Sequence, residues 1–188
     1  MPQPSPQTRR LALLRAINLG GHNRVPMADL RAVATELGYA DVSTYIASGN
    51  LLFTSEDAPA TVADALSDAL ATRFGFGIDV VVLTPDDLEG AQSGNPFLDG
   101  DPKMVHVGFC NVDVAPETLA PIRAFAGPGE RFAAHGKLLF LDFGSGGVAN
   151  SKAAARLTTL LRPGFTTARN MLTVRKLGTL LTGSPTDG

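Results

Sequence analysis

The hydrophobic and polar positions along the chain switch repeatedly between a strand-like and a helix-like spacing. An apolar run at residues 10–17 predicts a first strand, which is followed by a Gly-Gly loop. A helix is expected to begin at Pro26, since proline fixes the backbone for a first helical turn. Apolar residues then recur at intervals of three and four over residues 30–37, and Gly38 can end the helix in a left-handed conformation.

The rest of the first half completes a four-stranded pattern. Two β-rich runs on either side of Ser48-Gly49-Asn50 predict a hairpin. Apolar residues spaced by four over residues 62–74 predict a second helix, and residues 78–84 form a continuous apolar strand. Thr84 and Pro85 then open a short helix. The order β-α-β-β-α-β is that of the split βαβ, or ferredoxin-like, arrangement, in which both helices cover one face of an antiparallel sheet.

The second half repeats this order and adds a helix. Its expected elements are a strand at 103–110, a helix at 116–125, strands at 130–134 and 137–143 joined by a two-residue turn at His135-Gly136, a helix at 151–161, a strand at 164–168 and a helix at 170–181. We therefore expect an α+β fold of duplicated ferredoxin-like halves with an extra C-terminal helix. The expected boundaries are a disordered leader at 1–8, a first half at 9–92, a linker at 93–102, a second half at 103–182 and a tail at 183–188.

Composition excludes several classes of protein. The net charge of −2 gives no overall field that would recruit nucleic acid or an acidic membrane, so a nucleic-acid partner is disfavoured. No apolar run reaches the length of a membrane span, and no signal peptide is visible, so a cytoplasmic location is expected. The single cysteine, Cys110, lies in the apolar run VHVGFC and is expected to be a small buried hydrophobe.

Charge is distributed unevenly along the chain. Residues 1–94 contain 6 Lys and Arg against 11 Asp and Glu, whereas residues 95–188 contain 10 against 7. From Ser151 onward, six basic residues face Asp187 alone. This cationic end is interpreted either as a solvated surface that balances the acidic half or as an anion-binding surface.

The order of several motifs resembles a known bacterial family. These motifs are RAINLGG followed by VPM, then YIASGNLLF, then GNPF, and finally TTARNMLTVRKL, and they span most of residues 10–181. Together they resemble the family catalogued as domain of unknown function 1697. The resemblance implies a two-subdomain α+β fold with ferredoxin-like halves and no assigned activity. The family usually has glycine where Ala16 stands and tryptophan where Met171 stands.

The candidate ligand-binding residues of the first half lie in two loops. Glycines after the first strand can turn backbone N–H groups toward an anion, with arginine and asparagine side chains beside them; the residues are Arg15, Asn18, Gly20 and Gly21. The second loop adds Ser48 and Asn50. In the alternative interpretation the glycines only form a turn, and the polar side chains hydrogen-bond their own loops. His22 and Arg24 can reach outward from the first loop.

The glycine-rich run at residues 144–152 fits G-x-G-x-x-A formally but fails as a dinucleotide site. No Asp or Glu lies between Asp142 and Asp187 to bind a ribose about 20 residues on. A Walker A loop is excluded because serine, and not glycine, precedes Lys152. Ser151 is therefore expected to be a helix N-cap, with Lys152 in the first turn. A cation at that position opposes the helix dipole, so we expect an acidic residue or a bound anion to compensate it.

The segment 166–177 is the densest cluster of polar and basic residues. Asn170 is expected to cap the last helix, and Arg169 before it can make bidentate contacts to phosphate or carboxylate. In the alternative interpretation, Arg169 forms a structural ion pair with the acidic first half. The three histidines are scattered, and no metal-ligand spacing, nucleophile elbow or carboxylate pair occurs, so no metal and no cofactor are expected and no residue is assigned to catalysis.

These observations favour a protein that binds a small anionic or phosphorylated ligand in a cleft between its two halves. Two alternatives stay open. A nucleic-acid-binding module would use a ferredoxin-like sheet to stack bases, although the expected strands lack the aromatic RNA-binding signature. A non-catalytic structural or interaction protein would use every asparagine as a cap or a turn brace.

Overall fold

The computed structural model describes residues 8–183, apart from the side chain of Thr158. The elements of its first half are β1 (Thr8–Leu14), α1 (Met27–Glu36), β2 (Ala40–Tyr45), β3 (Asn50–Ser55), α2 (Pro59–Phe74), β4 (Val80–Leu83) and α3 (Pro85–Ser93). The four strands form an antiparallel sheet in the order β2-β3-β1-β4, which is the ferredoxin-like order that the hydrophobic pattern predicts.

One face of this sheet carries both long helices. Ala12 and Leu14 of β1 and Phe53 of β3 pack with apolar residues of α1 and α2 in a continuous buried core. Tyr39 stacks on Phe53 with ring centroids 4.7 Å apart, which closes the core beside β2. The expected position of both helices on one face is confirmed.

The second half repeats the topology, with shorter helices at the positions of α1 and α2. Its elements are β5 (Val105–Cys110), α4 (Ala120–Arg123), β6 (Arg131–His135), β7 (Leu138–Asp142), α5 (Ala154–Leu160), β8 (Thr166–Asn170) and α6 (Met171–Thr182). The antiparallel strand order is β6-β7-β5-β8, which matches the first sheet strand for strand. Its core includes Cys110, which is buried as expected. The molecule is thus an α+β protein with two sheets of the same topology.

Several element boundaries differ from those expected. β1 ends at Leu14 and not at residue 17, because Ala16 adopts a left-handed conformation that a strand cannot include. Thr8, expected in the leader, is the first residue of β1. Pro26 is the N-cap of α1 and not its first helical residue. The hairpin turn of the second half is Gly136-Lys137, since His135 already pairs with Leu138.

Two of the three second-half helices are shorter than expected, whereas α6 has the expected length. The helix expected at 116–125 is a 3-10 turn at Pro116–Leu119 followed by a single α-turn, because Pro121 cannot donate a backbone hydrogen bond. The helix expected from Ser151 begins at Ala154, after two short 3-10 segments over residues 144–150.

The described residues cluster into two compact units. The first contains the residues up to Leu88 together with those from Leu177 onward, and the second contains Glu89–Lys176. The expected leader and tail, except Thr8 and Gly183, lie outside the described residues.

Candidate functional site

The start of the loop after β1 is held to the first unit by two bonds from Arg15. Arg15 donates from Nη1 to Oδ2 of Asp79 at 2.8 Å, and its backbone N–H donates to the Asp79 carbonyl at 3.0 Å. The positive charge of Arg15, which the sequence analysis predicts to bind a ligand, is therefore paired with a carboxylate of the same unit. Since both side chains are partly exposed, water screens this pair.

Asn18 is the hydrogen-bonding centre of this loop. Its Nδ2 donates to the carbonyls of Val25 at 3.0 Å and Ala47 at 2.8 Å, and its Oδ1 accepts the Val25 N–H at 2.9 Å. The side chain thus joins the loop, the start of α1 and the β2–β3 turn. This is the bracing role that the alternative interpretation gives to Asn18.

The backbone around Asn18 is unusually strained. Positive φ angles occur at Ala16 (54°), Asn18 (55°), Asn23 (50°) and Ile46 (48°), which all lie in this loop or in the adjoining turn. Asparagine tolerates this conformation, but for β-branched isoleucine it is a genuine outlier. Gly20 and Gly21 also have positive φ and are exposed, and an added Cβ at either would meet nothing within 4 Å. Strained residues of this kind cluster at binding sites more often than elsewhere in a fold.

A surface pocket of about 450 Å³ opens beside this strained backbone. We call it the α1 pocket, and its lining residues are Asn18, Gly21, Arg24, Val25, Pro26, Met27 and Ala47. Arg24 is exposed and makes no ion pair or hydrogen bond with residues 8–183. Two of the residues that the sequence analysis singles out, Asn18 and Gly21, therefore lie at one pocket, whereas the neighbouring Gly20 is not part of its lining.

The Ser48-Gly49-Asn50 turn is packed tightly against the end of β1. Asn50 is fully buried, and its Nδ2 donates to the Tyr45 carbonyl at 2.9 Å and to Ser48 Oγ at 3.0 Å. A Cβ at Gly49 would lie 2.8 Å from Leu14 Cβ, so only glycine fits there. These bonds are the local turn bonds that the structural interpretation expects of Ser48 and Asn50.

In the second unit, two of the candidate residues cap the start of a helix. Ser151 Oγ accepts the Ala154 N–H at 3.0 Å, which caps the start of α5. Lys152 is exposed. Asn170 Oδ1 accepts the Thr173 N–H at 2.9 Å, which is the expected cap of α6.

Arg169 lies inside β8 and not in a loop before α6, which corrects the expected end of that strand at residue 168. Its side chain is 9% exposed, and Nη1 donates to Thr167 Oγ1 at 2.9 Å and to the Ala168 carbonyl at 2.8 Å. Burial lowers the pKa of Arg169 to about 10, because the surrounding protein solvates the guanidinium less well than water does. A ligand-binding role for Arg169 stays a prediction.

Sequence reasoning missed the main charge cluster of the second unit. Arg131 bonds to both oxygens of Asp99 at 3.0 Å and to Oδ2 of Asp142 at 2.7 and 3.0 Å, and its guanidinium lies over the Phe97 ring. The hydrogen bonds from Arg131 hold the pKa of Asp99 below its ordinary value. No sequence signal joins residues 99, 131 and 142, since only the register of β6 and β7 places Arg131 opposite Asp142.

Sequence reasoning also missed most of the α1 pocket. Arg24 is recognisable in the sequence as an outward-reaching loop residue. Ala47 is not recognisable as a pocket residue, because a long-range hydrogen bond from Asn18 brings it to the pocket. Among residues 8–183 no cluster of three or more potential metal ligands occurs, and no helix there is both long and apolar enough to cross a membrane.

Comparison with known proteins identifies a family and a structural relative. The family profile described as "Protein of unknown function (DUF1697)" matches residues 7–140. A solved structure of a conserved bacterial protein from Streptococcus pneumoniae is 28% identical, with a TM-score of 0.74 over 93% of this chain and 99% of the other. No curated protein matches the chain.

Proposed function

The chain belongs to the family described as "Protein of unknown function (DUF1697)", whose description gives no activity, and we propose that it binds a small anionic ligand in the α1 pocket. The proposal moves the expected ligand site into the first unit. The observation that carries it is Arg24, a cation at a pocket that no carboxylate of residues 8–183 neutralises.

The size and lining of the pocket support a ligand with one charged group on a compact apolar body. A volume of about 450 Å³ falls within the range of small-molecule sites. Val25, Pro26 and Met27 supply apolar surface, while Arg24 and the exposed backbone at Gly21 supply donors.

The location proposed for this activity is the cytoplasm. Cys110, the single cysteine, is a buried thiol that has no partner for an intramolecular disulfide, as is usual for proteins of a reducing compartment.

A ligand screen by thermal shift tests the proposal. Carboxylates, sugar phosphates and nucleotides are added separately, and unfolding is followed by tyrosine fluorescence, which reports on the first unit because Tyr39 and Tyr45 are the two tyrosines of the chain. We expect a carboxylate or monophosphate to raise the Tm of the wild type. The increase should be lost in Arg24→Met, since that change removes the pocket cation.

Arg73→Met is the matched control because it removes the same charge from the same unit, where Arg73 pairs with Glu36 at 2.6 Å outside the pocket. An increase in Tm that Arg24→Met retains in full would refute the α1 pocket as the site. Arg169→Ala tests the candidate residues of the second unit, and an unchanged increase in that variant would remove Arg169 from the ligand site.

A further inference from the structure

Arg10 is a buried cation with almost no compensation. It lies on β1 directly opposite Phe53 of β3, and its side chain is 9% exposed. Its Nε is buried and has no hydrogen-bond partner. Among residues 8–183 the guanidinium makes one hydrogen bond, from Nη2 to the Asp57 carbonyl at 3.4 Å, and no ion pair. A bond of that length is at the weak limit, so most of the five donors of Arg10 have no partner among residues 8–183.

Arg10 points at the N-terminus of a long helix that also lacks a cap. Asp57 directly precedes Ala58, the N-cap of the 16-residue helix α2, and alanine has no side chain that can accept the first N–H groups. Pro59 has no N–H, so the uncapped donors are those of Ala60 and Thr61. The first turn of α2 contains no acidic residue. Guanidinium donors that no described residue accepts therefore lie beside the positive end of a helix dipole.

A buried, unpaired cation beside a helix N-terminus is costly unless an anion is present. An oxyanion with several acceptor oxygens can take bonds from Arg10 and from the helix N–H groups together. Asp57 opposes this, since its exposed carboxylate is close enough to raise the pKa of Tyr39, although burial is the larger cause of that shift.

We infer that Arg10 and the N-terminus of α2 form a binding site for a phosphate-sized oxyanion, separate from the α1 pocket. Neither Arg10 nor any residue of α2 lines that pocket, so the two sites are tested by different variants. The ligand is either inorganic phosphate or the phosphate group of a small ester, because both present the same oxygens to the site.

The experiment titrates the full-length chain with inorganic phosphate at constant ionic strength set with chloride, and follows thermal unfolding by tyrosine fluorescence. We expect phosphate to raise the Tm of the wild type and expect Arg10→Met to weaken phosphate binding by about tenfold or more, the cost of losing charged hydrogen bonds. Arg9→Met is the matched control, since Arg9 is the neighbouring β1 residue and its Nη1 bonds to the Asp41 carbonyl instead. That variant should retain the response.

Two more variants keep the inference testable if Arg10→Met folds poorly. Ala58→Asp places a carboxylate at the N-cap, so it should raise the Tm without phosphate and abolish the phosphate response. Asp57→Asn removes the opposing charge and should tighten binding. A phosphate monoester that binds more tightly than inorganic phosphate would identify the ligand as an ester, and equal affinity would identify the ion itself. A wild-type response no larger than that to chloride, or one that survives both Arg10→Met and Ala58→Asp, would overturn the inference.

Discussion

Replacing Asn18 with alanine tests whether one side chain holds the candidate site together. The change removes three hydrogen bonds, of 2.8, 2.9 and 3.0 Å, to the backbone of Val25 and Ala47. Each such bond contributes roughly 1 kcal/mol net, and alanine also tolerates the left-handed conformation less well than asparagine. We therefore expect the first unit to lose about 2–4 kcal/mol of its free energy of unfolding.

Asn23→Ala is the matched control for this prediction. Asn23 has the same residue type in the same loop and a similar φ of 50°, but its side chain makes one longer bond, from Nδ2 to the Ala16 carbonyl at 3.3 Å. The loss of left-handed preference is thus common to both variants and cancels in their difference. That difference isolates the two further bonds of Asn18, and we expect it to be about 1–3 kcal/mol.

Urea unfolding followed by tyrosine fluorescence measures both variants in the unit that contains the loop. The midpoint should fall while the slope of free energy against urea stays constant, since neither variant changes the surface exposed on unfolding. If Asn18→Ala and Asn23→Ala agree within about 0.5 kcal/mol, the size of a mutational effect without a specific mechanism, the bonds of Asn18 do not hold the loop.

Three further changes test other parts of the structure. Gly49→Ala should cost about 2–4 kcal/mol and Gly75→Ala only about 1–2 kcal/mol in tyrosine-detected urea unfolding, because both have positive φ but only at Gly49 would the new Cβ clash. Arg131→Met should lower the urea midpoint measured by circular dichroism at neutral pH, since it leaves buried Asp142 without its cation, and adding Asp142→Asn should restore most of that loss. Burial lowers the pKa of His106, so the unfolded chain takes up a proton first as the pH falls through 6.5; stability should therefore decline below that pH, and His106→Phe should flatten the decline.

Each of these three has an outcome that contradicts it. Equal costs for the two glycine variants would show that the turn can move away from β1. If Asp142→Asn does not restore the stability of Arg131→Met, the lost stability does not come from the unpaired Asp142 carboxylate. An unchanged slope of stability against pH in His106→Phe would assign the decline to other groups.

The strand order was predictable because the periodicity of each segment agrees with its final environment. The β2–β3 hairpin and helix α2 combine a clear apolar spacing with a glycine at the turn or the helix end, so local and tertiary preferences coincide. Asn170 was recognisable as a cap because capping depends only on residues three positions apart.

The errors arise where tertiary contacts decide the local structure. Arg169 and Asn170 continue β8 because they pair with Val107 and His106 of β5, and that pairing is not encoded in the segment 164–168 itself. In the same way, the α1 pocket depends on the contact of Asn18 with Ala47, 29 residues away. In the sequence, Arg10 resembles an ordinary charged strand residue. That its buried Nε has no hydrogen-bond partner among residues 8–183 is seen only when its neighbours in the fold are known.

The conformation of Ile46 has a consequence for the engineering of this protein. A β-branched residue at a φ of 48°, half exposed to solvent, lowers the stability of the turn that borders the α1 pocket. Any laboratory selection for heat resistance should therefore replace Ile46 early with glycine or asparagine. Whether the improved variants still respond to the wild-type ligand would then measure how much tolerance to heat this protein gives up in order to keep its pocket in shape.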